Sequence, residues 1–275
     1  MAPEMTSTPY VQVESLVSHY GPRIILDGVS FNANLGEITV ILGGSGCGKT
    51  TVLRQIVGLL TPTSGRVLID GRDIHRISEE EREGMLRNIG MSFQAGALFN
   101  SMTLEDNVAL PIMEHLHAEP SIARMLARMK LALVGLERAA HLLPSEISGG
   151  MKKRAAVARA LALNPALLLF DELSAGLDPI TARELDELIL SLKRQFNMAI
   201  IIVTHELGSI QMIADQAVML HQGKVLAAGP LREVQETDHP QIRAFFDRRP
   251  RSTTLQHGLL DSILVEGEQD GKDPT

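Results

Sequence analysis

Residues 37–58 read EITVILGGSGCGKTTVLRQIVG. Four glycines lie between Gly43 and Gly48, with an apolar run before them and an apolar helical pattern after them. Glycine inside either element costs roughly 0.5–1 kcal/mol per residue, so something must offset it. Ile38–Leu42 suits a buried strand, and Val52, Leu53, Ile56, Val57 and Leu60 recur at helical spacing from Lys49 onward. Strand, glycine loop, helix is the order a phosphate-binding loop needs. Gly43-Gly44-Ser45-Gly46-Cys47-Gly48-Lys49-Thr50 fits the pattern G-x-x-x-x-G-K-[ST]. In that pattern, backbone N–H groups point at phosphate oxygens and the helix N-terminus adds partial positive charge. Lys49 would bridge the β- and γ-phosphates of ATP, Thr50 would ligate Mg²⁺, and Thr51 extends the contact. Cys47 enters the loop through its backbone, and its thiol is expected to stay chemically accessible but not catalytic.

The same order appears downstream. Leu167-Leu168-Leu169-Phe170 ends in Asp171-Glu172. A buried strand there would carry Asp171 to the sheet edge beside the loop to hold Mg²⁺, and Glu172 could polarise an attacking water. Between the two motifs, Ser148-Gly149-Gly150 opens a helix and makes a second phosphate-binding N-terminus. A chain that already has one phosphate loop needs no second site in the same pocket. The inference is a head-to-tail homodimer in which each chain closes the other's site. Lys152, Lys153 and Arg154 are read as a solvated helix face.

Around these motifs the chain reads as an α/β fold. Alternation in YVQVESLVSHY (10–20), a turn at Gly21-Pro22 and SGRVLIDGRDI (64–74) predict an N-terminal antiparallel layer. From about 78 to 163 the sequence is charged and helix-forming, which predicts an inserted helical subdomain with Met113, Met125 and Met129 as core filler. Strand texture returns at 166–170 and 199–203. Leu185, Leu188, Ile189, Leu192 and Phe196 mark one apolar helix face between them, and residues 219–229 read as a hairpin turning at Gly223. The order implies a mainly parallel P-loop sheet.

Of the 275 residues, 44% are hydrophobic and 21% charged, a globular balance. The net charge of −7 argues against a nucleic-acid partner that works by neutralising phosphates. The single cysteine excludes an intrachain disulfide framework and fits a reducing compartment. The N-terminus has no secretory pattern, and no apolar run approaches a membrane span. The polar tail after Pro250 is expected to be loosely ordered, with LLDSILV able to dock as a short helix or strand.

The glycine loop, Gln94, Ser-Gly-Gly, the apolar strand ending Asp-Glu, Gly176-Leu177-Asp178 and His205 stand in the motif order of ABC-type ATPases, which the chain resembles over about residues 10–247. The resemblance implies roles position by position. Tyr20 would stack on adenine. Gln94 would contact Mg²⁺ and the attacking water and link the site to a membrane partner. Ser148, Gly149 and Gly150 would reach the opposite protomer's γ-phosphate. Asp178 would sit at the dimer interface, and His205 would contact the γ-phosphate. Three positions depart from the commonest pattern: Ile147 and Met151 flank the Ser-Gly-Gly core, and Leu173 follows the acids where proline is usual. Both acids are retained, so the resemblance still implies ATP hydrolysis.

SGGM followed by KKRAAVARALAL, FQAGALFNSMTLEDNVALPI (93–112), DPITARELDELI (178–189) and HPQIRAFFDRRP (239–250) are similar to the Mla group, ATPases of MCE-associated lipid transporters. That similarity implies a phospholipid or related cargo. It also implies an integral-membrane permease, an MCE-domain protein, a small regulatory subunit and a place on the cytoplasmic face of the inner membrane. Leu98, Phe99 and Met102 either fit a groove for a permease coupling helix or form local core. The competing readings are an ATPase of a solute importer and a soluble ABC ATPase of DNA repair or translation. The ATPase domain is expected at 10–247 and the tail at 248–275.

Overall fold

A computed structural model describes residues 8–93 and 98–247. Gln94 and the 248–275 tail, both singled out from the sequence, lie outside the described residues. The elements run β1 (Val11–Tyr20), β2 (Arg23–Ala33), β3 (Ile38–Gly43), α1 (Lys49–Ile56), β4 (Ser64–Ile69), β5 (Arg72–Asp73), α2 (Glu79–Leu86) and β6 (Ile89–Ser92). Then follow α3 (Leu104–Leu116), α4 (Pro120–Leu133), α5 (Gly149–Ala160), β7 (Leu167–Asp171), α6 (Pro179–Phe196) and β8 (Ala199–Val203). The series closes with α7 (Leu207–Ile213), β9 (Gln216–His221), β10 (Lys224–Pro230), α8 (Leu231–Glu236) and α9 (Pro240–Phe246).

Two sheets form. β2-β1-β4-β5 is antiparallel, and β10-β9-β3-β8-β7-β6 is parallel except for the β9–β10 hairpin. Residues on β3, β7 and β8 are buried on both faces, as parallel strands covered on two sides must be. On one face Val40, Leu42, Leu168 and Phe170 pack with α3, α4, α5 and α6. On the other, Ile41, Leu167 and Leu169 meet α1 and the inner face of the antiparallel sheet, including Val13, Leu16 and Leu26. Register brings the functional strand ends to one edge: Asp171 pairs with Val203, and Ile41 also pairs with Val203.

Three expectations are corrected. The stretch read as helical from 78 onward contains β6, which joins the parallel sheet beside β7. Its second residue must be glycine, because a Cβ on Gly90 would collide with the Ala160 carbonyl at the end of α5. Met125 and Met129 are not core: they are 57% and 60% exposed. α4 instead buries Ala123, Ala127 and Leu131, one stripe at four-residue spacing, which leaves both methionines on the opposite side. Met113 is half-buried and does pack against the core. Finally, Cys47 is buried, with its sulfur close to Lys49 Nζ.

Candidate functional site

The turn from β3 into α1 builds the floor. Gly43 and Gly48 have φ of +147° and +107°, both in the range that favours glycine. A Cβ on Gly43 would run into the Leu220 carbonyl, and one on Gly48 into the Leu26 side chain. Lys49 is buried, and its Nζ donates to the carbonyls of Gly43 at 2.9 Å and Gly44 at 3.1 Å. The ammonium therefore lies folded over the loop.

β7 delivers Asp171 beside α1. Thr50 Oγ1 donates to Asp171 Oδ2 at 3.0 Å. The Asp171 carboxyl is pushed up from its ordinary range, first by burial and then by the neighbouring Glu172 charge, while the Thr50 hydrogen bond opposes the shift. A hydroxyl and a carboxylate side by side suit Mg²⁺, which keeps several waters and takes its other oxygens from a phosphate. Among the described residues no cluster of three or more His, Cys, Asp or Glu forms a protein cage for a metal.

One residue further on, Glu172 has φ +51°, the left-handed region that costs a non-glycine residue of order 1 kcal/mol or more. Its N–H donates to the Val203 carbonyl at 2.8 Å, which fixes the backbone in that conformation. Its Oε1 lies 3.0 Å from His205 Nδ1, so the ends of β7 and β8 meet through these two side chains. Lys153 on α5 is half-buried. Burial pulls its ammonium down and the Glu172 charge partly restores it. Arg154 pairs with Glu184, so of the three cations read as a solvated face Lys152 is exposed and the other two are half-buried.

These groups open into one cavity of about 770 Å³. Tyr20, Gly43, Gly44, Ser45, Gly46, Gly48, Lys49, Thr50, Thr51, Asp171, Glu172 and His205 all line it. Sequence reasoning missed Arg23, Ile25 and Phe245, which line it too. A signal for Phe245 existed: the chain has seven Phe, two Tyr and no Trp, and two of those aromatics stand adjacent at 245–246. Cys47 lines a neighbouring cavity instead.

Ser148, Gly149, Gly150 and Asp178 are not in this cavity. Ser148 caps α5, its hydroxyl accepting from Met151 N–H at 3.2 Å, and Ser148 and Gly149 are exposed. Gly150 is buried where a Cβ would strike the Thr181 side chain. Asp178 caps α6, accepting from the N–H groups of Ile180 and Thr181, both at 3.0 Å. Hydrogen bonding from Thr181 lowers its carboxyl below the usual range.

A buried lysine in a glycine loop, a Thr–Asp oxygen pair and an adjoining Glu–His pair on one sheet edge define a P-loop nucleotide-hydrolysing site. A family model described as ABC transporter matches residues 26–175. The intermembrane phospholipid transport system ATP-binding protein MlaF of Haemophilus influenzae is 42% identical over 235 residues, covering 86% of this chain and 89% of that protein. Among solved structures, cbiO1 from Clostridium perfringens, part of an ABC transporter complex, aligns with a TM-score of 0.76 and 30% identity, covering 83% of this chain and 91% of that one. A dimeric ATP-binding cassette in a post-hydrolysis state, bound to ADP and Pi, aligns with a TM-score of 0.73 and 31% identity, covering 81% and 99%. The chain belongs to the ABC transporter family and is an ATP-hydrolysing subunit. No helix among the described residues is long and apolar enough to cross a membrane.

Proposed function

We propose that the chain energises the transport of phospholipids or related lipids. In this reading it works as a homodimer on the cytoplasmic face of the inner membrane, held there by an integral-membrane permease. An MCE-domain substrate-binding protein and a small regulatory subunit are the further partners. The lipid cargo is supported by the 42% identity to a phospholipid transport ATP-binding protein over most of both chains. The ATPase domain is read as 10–247, with 248–275 appended.

The observation that carries the site reading is the convergence of Lys49, Thr50, Asp171, Glu172 and His205 on one cavity. The loop amides and Lys49 take the β- and γ-phosphates. Thr50 and Asp171 would hold Mg²⁺, which would supply charge neutralisation on the phosphates, and Gln94 is read as a further ligand. Glu172 orients the attacking water, and His205 holds Glu172 at one ring nitrogen and faces the γ-phosphate. Tyr20 stacks on adenine. The exposed N-terminus of α5, with Ser148, Gly149 and Gly150, completes the partner's site, and Asp178 stands at the same interface.

Two measurements test this. Glu172→Gln should lower ATP turnover by about 10²–10⁴ while sparing ATP binding; normal hydrolysis by the variant sinks the assignment. The same variant, tagged, loaded with ATP and gently extracted from membranes, should bring down a multi-span permease, an MCE-domain protein and phospholipid, identified by mass spectrometry. Recovery of a soluble dimer alone, or of ribosomal or DNA-associated proteins, overturns the transport reading.

A further inference from the structure

One aromatic in the cavity takes no part in the phosphate chemistry. Phe245 comes from α9, outside the residues 26–175 matched to the family. α9 is firmly seated: Ile242 is fully buried, and Phe245 and Phe246 pack against the core. Their rings meet edge-on, 5.4 Å between centroids at 86°. Gln241 and Ala244 border a second cavity against Arg23–Ile25 and Gly44–Cys47. Residues 241, 244 and 245 share one face of a helix. That face runs along the outside of the glycine loop, and Phe245 carries it into the nucleotide cavity.

One part of that cavity is polar: loop amides, Lys49, Thr50 and the two acids. Among its described lining residues, the large apolar side chains are Tyr20, Ile25 and Phe245. An aromatic face offers nothing to a triphosphate, which asks for N–H donors and cations. It matches the flat face of a nucleobase. We propose that Phe245 forms, with Tyr20, the wall of the nucleobase end of the pocket, making the C-terminal helix part of the nucleotide site. This rests on the nucleotide reading of the cavity. Because every base has a π-face, such a wall adds affinity without choosing among purines.

The test is calorimetric titration of the full chain with Mg-ADP and, separately, with inorganic tripolyphosphate. Phe245→Ala should weaken ADP about 5- to 150-fold, the range a lost base–aromatic stack carries. Tripolyphosphate affinity should stay within about twofold, GDP should fall by the same factor as ADP, and Phe245→Tyr should restore ADP. If the alanine variant folds poorly, Phe245→Leu keeps apolar packing and loses the stack, so the same split between ligands applies. Unchanged ADP affinity overturns the proposal, and so does an equal loss for both ligands, which would mark a merely structural role. A wild-type chain that binds neither ADP nor tripolyphosphate overturns the nucleotide reading and this proposal together. A wild-type chain that binds both, with Phe245→Ala matching it, sinks the Phe245 wall alone.

Discussion

Asn107 gives the sharpest quantitative handle on the segment that carries Phe99 and Met102, which the sequence left open between a permease groove and local core. It is fully buried at the start of α3, and its side-chain amide organises residues 99–103. Oδ1 accepts from Phe99 N–H at 2.7 Å, and Nδ2 faces the carbonyls of Phe99, Met102 and Thr103 at 3.0, 3.1 and 2.9 Å. The amide NH₂ has two hydrogens, so these contacts amount to at most three full bonds, and at about 0.5–1.5 kcal/mol each they set an upper bound near 4.5 kcal/mol. Two of these partner atoms belong to Phe99, which is 47% exposed and can rehydrate. Thr103 O also accepts from the Asn107 backbone N–H. The expected cost of Asn107→Ala is therefore about 2–4 kcal/mol, read as a lower midpoint in urea unfolding, with loss of hydrogen-exchange protection at the Phe99 amide. Asn107→Asp sharpens the test. Its carboxylate would be buried against three carbonyl oxygens, so its folded pKa is raised. For a group raised on folding, the stability it contributes is present below the unfolded pKa and is lost as pH rises through the folded one. The aspartate variant should thus lie closer to wild type at pH 5 than at pH 8, and below the alanine variant at pH 8. A cost under about 1 kcal/mol for alanine, or the opposite pH trend for aspartate, refutes the reasoning.

Asp171→Asn should raise the thermal midpoint of the nucleotide-free protein while abolishing Mg²⁺-dependent hydrolysis. Burial and the Glu172 charge disfavour the ionised carboxylate at neutral pH, and a gain of about 1 kcal/mol is roughly 2–4 °C in a domain of this size; an unchanged or lower midpoint in scanning calorimetry contradicts this. Met125→Gln and Met129→Gln should each shift unfolding stability by no more than about 0.5 kcal/mol, because neither side chain is in the core. A loss above about 2 kcal/mol in chemical denaturation would return them to it.

The site was legible in the sequence wherever chemistry dictates local backbone. A loop that must point N–H groups at phosphate needs glycines at fixed offsets, and a strand that must end beside it needs an acid at its tip. Gly43–Thr51 and Leu167–Glu172 could therefore be read directly. What the sequence hid depends on neighbours far away in the chain. α4 is apolar on more than one side, so spacing alone could not say whether Met125 or Ala127 faces inward; packing against α3 and α5 decides. β6 has four residues, one of them glycine, too little for an alternation pattern, and becomes a strand because β7 offers a free edge. The left-handed turn at Glu172 has no local signature, because the Val203 carbonyl imposes it. Phe245 reaches the cavity only because the β9–β10 hairpin and α8 return the chain to the glycine loop.

A chain of net charge −7 must still attract a polyanion, and the arrangement of buried charge explains how. Exposed acids act weakly at range, since salt screens them beyond about 8–10 Å. Within the cavity two buried charges are each incompletely matched. Lys49 Nζ donates to two neutral carbonyls, with the Cys47 sulfur 4.0 Å away, and charge-assisted bonds to phosphate are roughly twice as strong as neutral ones. Asp171 accepts from the Thr50 hydroxyl and has an acid beside it, whose repulsion the Lys49 and Arg54 charges partly oppose. In the proposed function a triphosphate supplies what Lys49 lacks, and a divalent cation supplies what Asp171 lacks. Each also neutralises the other. Nucleotide without metal would leave the Asp171 carboxylate facing phosphate oxygens, and metal without nucleotide would leave Lys49 folded on its own loop. The site therefore favours the two together over either alone, and it does so from local geometry against the sign of the whole protein's charge.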